Sequence, residues 1–211
     1  MDALLANPTK HQRRKTLGKM IDGFGLDEAY STTLDRIREQ KGNRMKLGME
    51  ALMWISHSER PLSAAELCHA LAVEVGTMDL SFDNVPSIRT LMNCTLGLVT
   101  IDEQASTVRL VHFTLREYLA AHSNVFITPH SMIAEICLTY LNFQSICKLS
   151  TTLHTIPLTT PFLDYAACYW GFHARKEMAE GVKQLALQLL RRYANHISAS
   201  LLMRKVHPWA I

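Results

Sequence analysis

The stretch VRLVHFTLREYLAA, residues 108–121, places one histidine where a strand-like alternation gives way to a helical pattern. His112 has two readings there. It can pack on one strand face with Val108 and Leu110 and hydrogen-bond a carbonyl. Alternatively, it can stand beside the N-terminus of the following helix, where unpaired amides and a partial positive charge suit an anion. That field disfavours imidazolium, yet a neutral imidazole can still donate one hydrogen bond to a phosphate oxygen. Spacing alone favours the packed reading.

Other groupings that could carry chemistry are sparse. The nine glycines include no G-x-x-x-x-G-K-[ST] phosphate loop and no G-x-G-x-x-G turn. There is no G-x-S-x-G elbow and no H-E-x-x-H. The nearest metal-like pairs are Cys68–His69 and Cys168 with His173, and neither has a partner pair at ligand spacing. Cys94 and Cys168 lack an adjacent base or cation, so they read as core residues and not nucleophiles. The chain is therefore not expected to be an enzyme, to hold a metal, or to bind a cofactor by itself.

Positioning falls to a run of helices. Residues 1–20 suggest a weak helix after Thr9, with Leu17 and Met20 as its apolar contacts. Leu26, Tyr30, Leu34 and Ile37 recur at helical spacing until Gly42 and Asn43. Residues 45–56 are apolar nearly all round, which marks a central buried helix. Ser63 and Glu66 form a capping box, with Leu62 and Leu67 at the staple positions, for a helix over 64–73. Asn84 or Ser87 can cap a third helix carrying Ile88, Leu91, Met92 and Thr95, which Gly97 stops. Two β-prone runs, 98–102 and 108–113, flank the polar loop EQAST. Thr114 and Glu117 read as a second capping box, with Phe113 and Tyr118 as staple, opening a helix over 115–122. Three more helices are expected, at 129–143, 161–176 and 180–204. The terminal HPWAI is apolar and suggests a partner surface in sequence outside this chain.

The order helix, helix, helix, hairpin, helix over 45–122 is that of a winged helix. Hydrophobic residues make up 48% of the chain and charged residues 19%, a core-forming composition. The five cysteines, Cys68, Cys94, Cys137, Cys147 and Cys168, are odd in number and mostly sit in apolar helical patterns. They read as buried free thiols of a reducing compartment. No stretch reaches the roughly 18 apolar residues of a membrane span, so a soluble, cytoplasmic protein is expected.

A net charge of +3 does not by itself imply nucleic acid or membrane. The basic run at Lys10–Lys15 reads as a solvated helix face. A DNA-reading third helix needs side chains for base edges and phosphates. Here that helix offers only Arg89 and Asn93, while Asp102 and Glu103 beside the wing would repel phosphates. Nucleic acid is thus an unfavoured partner.

The runs ALMWISHSERPLSAAELCHALAVEVG (51–76), CTLGLVTIDE (94–103) and VRLVHFTLREYL (108–119) resemble the winged-helix domain that follows the NACHT NTPase in fungal STAND proteins. This domain is called the GPI inositol-deacylase-type winged helix, a name that does not imply deacylase activity. GLDEAYSTTLDRI (25–37) resembles the helical end of a NACHT module. IAEICLTYLNF (133–143) and DYAACYWGFHARKE (164–177) are similar to the helical connector toward C-terminal ankyrin repeats. The resemblance implies a mainly α fold, a winged helix followed by a helical connector. It divides the chain into 1–43 (end of a NACHT module), 44–124 (winged helix) and 125–211 (connector).

It also implies a non-catalytic regulatory module that closes over ADP in the resting state of a signalling NTPase, with ADP or ATP bound by the full-length protein. In this pattern His112 is the nucleotide contact, within an H-x-[ST]-x-x-E-Y motif completed by Thr114, Glu117 and Tyr118. The implied partners are the NACHT module and ankyrin-type repeats in cis. The phosphate loop, the magnesium-binding acidic strand and the sensor residues are absent, as are the repeats, so the chain is expected to be a fragment, a truncated product or a degenerate relative. The competing readings are a DNA-binding winged helix and a helical scaffold for protein docking.

Overall fold

The computed structural model describes residues 24–153 and 155–206. The expectations for the first twenty residues and for HPWAI lie outside them. The chain opens with α1 (Phe24–Arg38), which buries Tyr30, Leu34 and Ile37 at the expected spacing and leaves Leu26 on the solvent side. Gly42, at φ 63°, turns the chain into α2 (Asn43–His57). Five consecutive residues of α2, Ala51 to Ile55, are buried, so its second half lies inside the core from every side.

The Ser63 capping box forms as expected at the head of α3 (Ala64–Ala72). Ser63 Oγ accepts from Glu66 N–H at 3.2 Å, and Glu66 Oε2 accepts from Ser63 N–H at 2.8 Å. Of the two candidate caps for α4 (Ile88–Cys94), Ser87 takes the role by accepting from Thr90 N–H. Asn84 instead donates to Glu74. The hairpin forms from Val99–Asp102 and Thr107–Leu110. A two-residue strand, Leu62–Ser63, pairs with its second arm, so the sheet has three strands. In chain order these are β1 (62–63), β2 (99–102) and β3 (107–110), arranged β1-β3-β2.

The remaining helices are α5 (Phe113–Ala121), α6 (Pro129–Leu141), the short α7 (Gln144–Cys147), α8 (Leu163–Lys176), α9 (Glu180–Leu190) and α10 (Ile197–Val206). The single helix expected over 180–204 is broken. A 3-10 turn at Tyr193–Asn195 intervenes, and Arg192 leaves the helical path to donate to Asn142 Oδ1 at 2.6 Å. Amphipathic spacing continues across the break because both helices bury one face on the same core.

That core is continuous from the winged helix into the helices that follow it. Trp54 meets Phe162 (5.5 Å) and Tyr165 (5.9 Å) edge-on, and Tyr140 meets Phe162 at 5.2 Å. Arg60 clasps both oxygens of Glu66, bonds Asp164 at 3.0 Å and lies over Tyr165. All five cysteines are free, with Cys147 half-buried and the others buried. Among the described residues no helix is long and apolar enough to cross a membrane.

Gly48 marks the closest approach of α2 to α4. A Cβ there would stand 2.6 Å from the Cys94 carbonyl oxygen and 3.0 Å from Ile37 Cγ2. That carbonyl is also held by Gln40 Nε2 at 2.7 Å. Alanine normally favours a helix over glycine by about 1 kcal/mol. Gly48→Ala is expected to lose stability instead, by about 1–3 kcal/mol, read as a lower urea midpoint. An unchanged or higher midpoint would contradict this packing.

Candidate functional site

His112 is an exposed residue with extended backbone (φ −149°, ψ 151°), one position before the first turn of α5. Its Nδ1 accepts from Thr114 N–H at 3.3 Å and lies 2.8 Å from the Thr114 hydroxyl. That hydroxyl is also 2.7 Å from the Tyr30 hydroxyl on α1. The imidazole is therefore the helix cap. This corrects the expected capping box: Thr114 lies inside the helix, Glu117 is exposed, and Phe113 is 67% exposed and cannot serve as a staple. The packed reading is overturned as well, since His112 does not lie in the core with Val108.

The cap fixes the chemistry of the ring. An Nδ1 that accepts from a backbone amide carries no proton, so the neutral ring holds its hydrogen on Nε2. Among the described residues Nε2 has no hydrogen-bond partner, and the ring is open to solvent. It stands in a shallow cleft formed with Glu59, Arg60, Arg109, Phe113 and Arg116. Arg60 is engaged by Glu66 and Asp164, and Arg109 by Asp102 at 2.7 Å. Arg116 makes no ion pair among the described residues and is exposed. The arrangement offers one N–H donor, one free cation and a helix N-terminus to an anionic oxygen.

A second copy of the device stands at His196. Its Nδ1 accepts from Ser198 N–H at 3.2 Å and lies 2.7 Å from the Ser198 hydroxyl, opening α10. There the ring is buried, and Nε2 lies 3.0 Å from the Leu141 carbonyl oxygen. The two units share the pattern H-x-[ST], at 112–114 and 196–198. That recurrence was the available signal for a histidine cap.

The two expected metal-like pairs stay incomplete. Burial pushes the Cys68 thiol up to about 11, and His69 packs edge-on to Phe82. Cys168 turns toward Asp164 and not toward His173. His173 meets partners that the sequence did not suggest. Its Nδ1 lies 2.8 Å from His130 Nδ1, and its Nε2 lies 2.9 Å from the Tyr165 hydroxyl. Glu59 completes the group and is paired with Lys176 at 2.7 Å. No spacing rule links residues 59, 130 and 173, so only the fold reveals them.

Two outcomes follow. Removing the cap by His112→Ala should cost about 1 kcal/mol, measured by chemical denaturation, and His112→Ser should restore it. The second concerns acid. Burial, with His130 alongside, drives the His173 imidazole from 6.5 down to about 4; Glu59 opposes this, and Lys176 and His57 reinforce it. His57, His130 and His196 are displaced the same way, each chiefly by burial. The unfolded chain titrates near 6.5 and takes up protons that the folded chain refuses. Stability is therefore complete above about pH 6.5 and falls toward about pH 4. A Tm that stays level across that window in metal-free buffer would contradict the burial of these rings.

Residues 35–126 match the family model described as GPI inositol-deacylase, winged helix domain. No curated protein and no solved structure matches the chain. The match begins in the second half of α1 and covers α3, α4 and α5 with their caps, the three-stranded sheet and His112. Residues 35–126 thus form a winged-helix domain, similar over that span to the family named, and α6 to α10 extend beyond the match.

Proposed function

We propose that this chain is the non-catalytic regulatory and interaction module of a STAND-class, NACHT-type signalling NTPase, and that His112 donates its Nε2–H to a phosphate oxygen of ADP in the resting state. The observation that carries this reading is the open Nε2 of the His112 cap. Its twin at His196 spends the same Nε2 on a carbonyl oxygen. At His112 the equivalent position is open, beside a helix N-terminus and the unpaired Arg116. Val111 and Phe113, 48% and 67% exposed, give this opening an apolar rim that a docked NTPase module would cover. Five free thiols suit a reducing cytoplasm.

The chain itself performs no hydrolysis in this reading. A preceding module supplies the phosphate loop and the metal, and the winged helix adds one donor from outside. A hydrogen bond to a charged acceptor is worth about 1.5–3 kcal/mol, which corresponds to about 10-fold to 100-fold in affinity. In a protein joining a NACHT module to this chain, His112→Ser keeps the cap while removing Nε2–H. It should weaken ADP binding by about that factor with an unchanged melting temperature. Equal ADP affinity in the two proteins, by calorimetry, would refute the nucleotide role.

A further inference from the structure

We propose that Glu59, His130 and His173 form a binding site for a divalent metal ion of the zinc type, placed so that the ion ties the helical connector to the winged-helix domain. The ligand atoms of the three residues lie within 4.8 Å of one another. They come from three separate places: Glu59 from the loop between α2 and β1, His130 from the first turn of α6, and His173 from α8. Only Glu59 lies within the matched winged-helix domain.

The two imidazoles face each other Nδ1 to Nδ1 at 2.8 Å. One hydrogen can bridge them, and the remaining lone pair then converges on that same hydrogen. A metal takes the place of the bridge, with both rings carrying their hydrogen on Nε2. Ligand atoms around a tetrahedral zinc stand about 3.3 Å apart, given bonds of about 2.0–2.1 Å. The rings therefore separate by about half an ångström, which the half-exposed His130 allows. Glu59 is exposed and can swing in once it leaves Lys176. Two histidines, one carboxylate and one position left for water are a familiar zinc set.

The surroundings suit a ligand. His173 is fully buried, and its second nitrogen meets the Tyr165 hydroxyl, the outer contact that orients a metal-bound imidazole. Tyr165 also accepts from Glu59 N–H at 3.1 Å, so one hydroxyl steadies two of the three ligands. Glu177 Oε2 accepts from Ser131 N–H and fixes the start of α6, where His130 sits. Burial holds both imidazoles in the neutral form that binds metal.

The test is titration of the full chain with zinc, and with cobalt as a coloured probe, in chelator-treated buffer. The expected result is one ion per chain, a cobalt spectrum without thiolate bands, and a Tm raised by about 5–10 °C at a hundredfold excess over Kd. His130→Asn and Glu59→Gln alter exposed or half-exposed residues and should keep the metal-free Tm. Each should weaken binding by about 100-fold, and Tyr165→Phe by about 10-fold. Absence of binding at about 100 μM zinc would overturn the proposal. So would affinity unchanged in the His130 and Glu59 variants, because the ion would then sit elsewhere. Nucleotide affinity plays no part in this readout, so it stands or falls independently of the ADP reading.

Discussion

Tyr165 is the constraint on which both halves of the molecule depend. Its ring is fully buried and packs against Trp54, Phe162 and Tyr169, while Arg60 lies over its face. A buried phenol must satisfy its hydroxyl, and burial keeps that hydroxyl protonated by pushing its pKa up. The partners it finds are the Glu59 amide and the His173 ring. One side chain of α8 thus fixes the exit from α2 and the orientation of the buried histidine. The apolar ring sets how closely α8 approaches the winged helix, and the single polar atom sets its register.

Histidine serves two structural ends in this chain, depending on its surroundings. At His196 and His112 an imidazole nitrogen performs the capping usually given to serine or aspartate. A hydroxyl cap uses its one oxygen and stops there. An imidazole cap has a second nitrogen on the far side of a rigid ring, so it opens a helix and addresses something else about 2 Å further out. At His196 that second nitrogen joins α10 to the end of α6. At His112 it faces outward, where the ring is exposed and that nitrogen meets no partner among the described residues.

Much of the winged helix was legible because short-range rules govern it. The Ser63–Glu66 box, the Ser87 cap and the β2–β3 hairpin each rest on partners within a few residues, and the spacing shows them. The start of α5 misled because T-L-R-E offered the expected letters, while imidazole is not among the usual caps. Thr114 still takes part, through its amide and hydroxyl, but as the second residue of the helix and not as its cap. Strand β1 was hidden because two residues carry no alternation. The break after Leu190 was hidden because both flanking helices bury the same face. The histidine group was illegible for a deeper reason. It depends on how α6 and α8 cross, and nothing local encodes a meeting of residues 59, 130 and 173.

The Arg60 clasp has a mechanical consequence. Glu66 divides its carboxylate between the Ser63 amide and the Arg60 guanidinium, and Arg60 holds Asp164 on α8 with the same hand. A load applied along α8 therefore reaches the first turn of α3 through two short links, with no slack loop between them. A pull on α8 would be felt first at the root of the wing, where β1 ends and α3 begins.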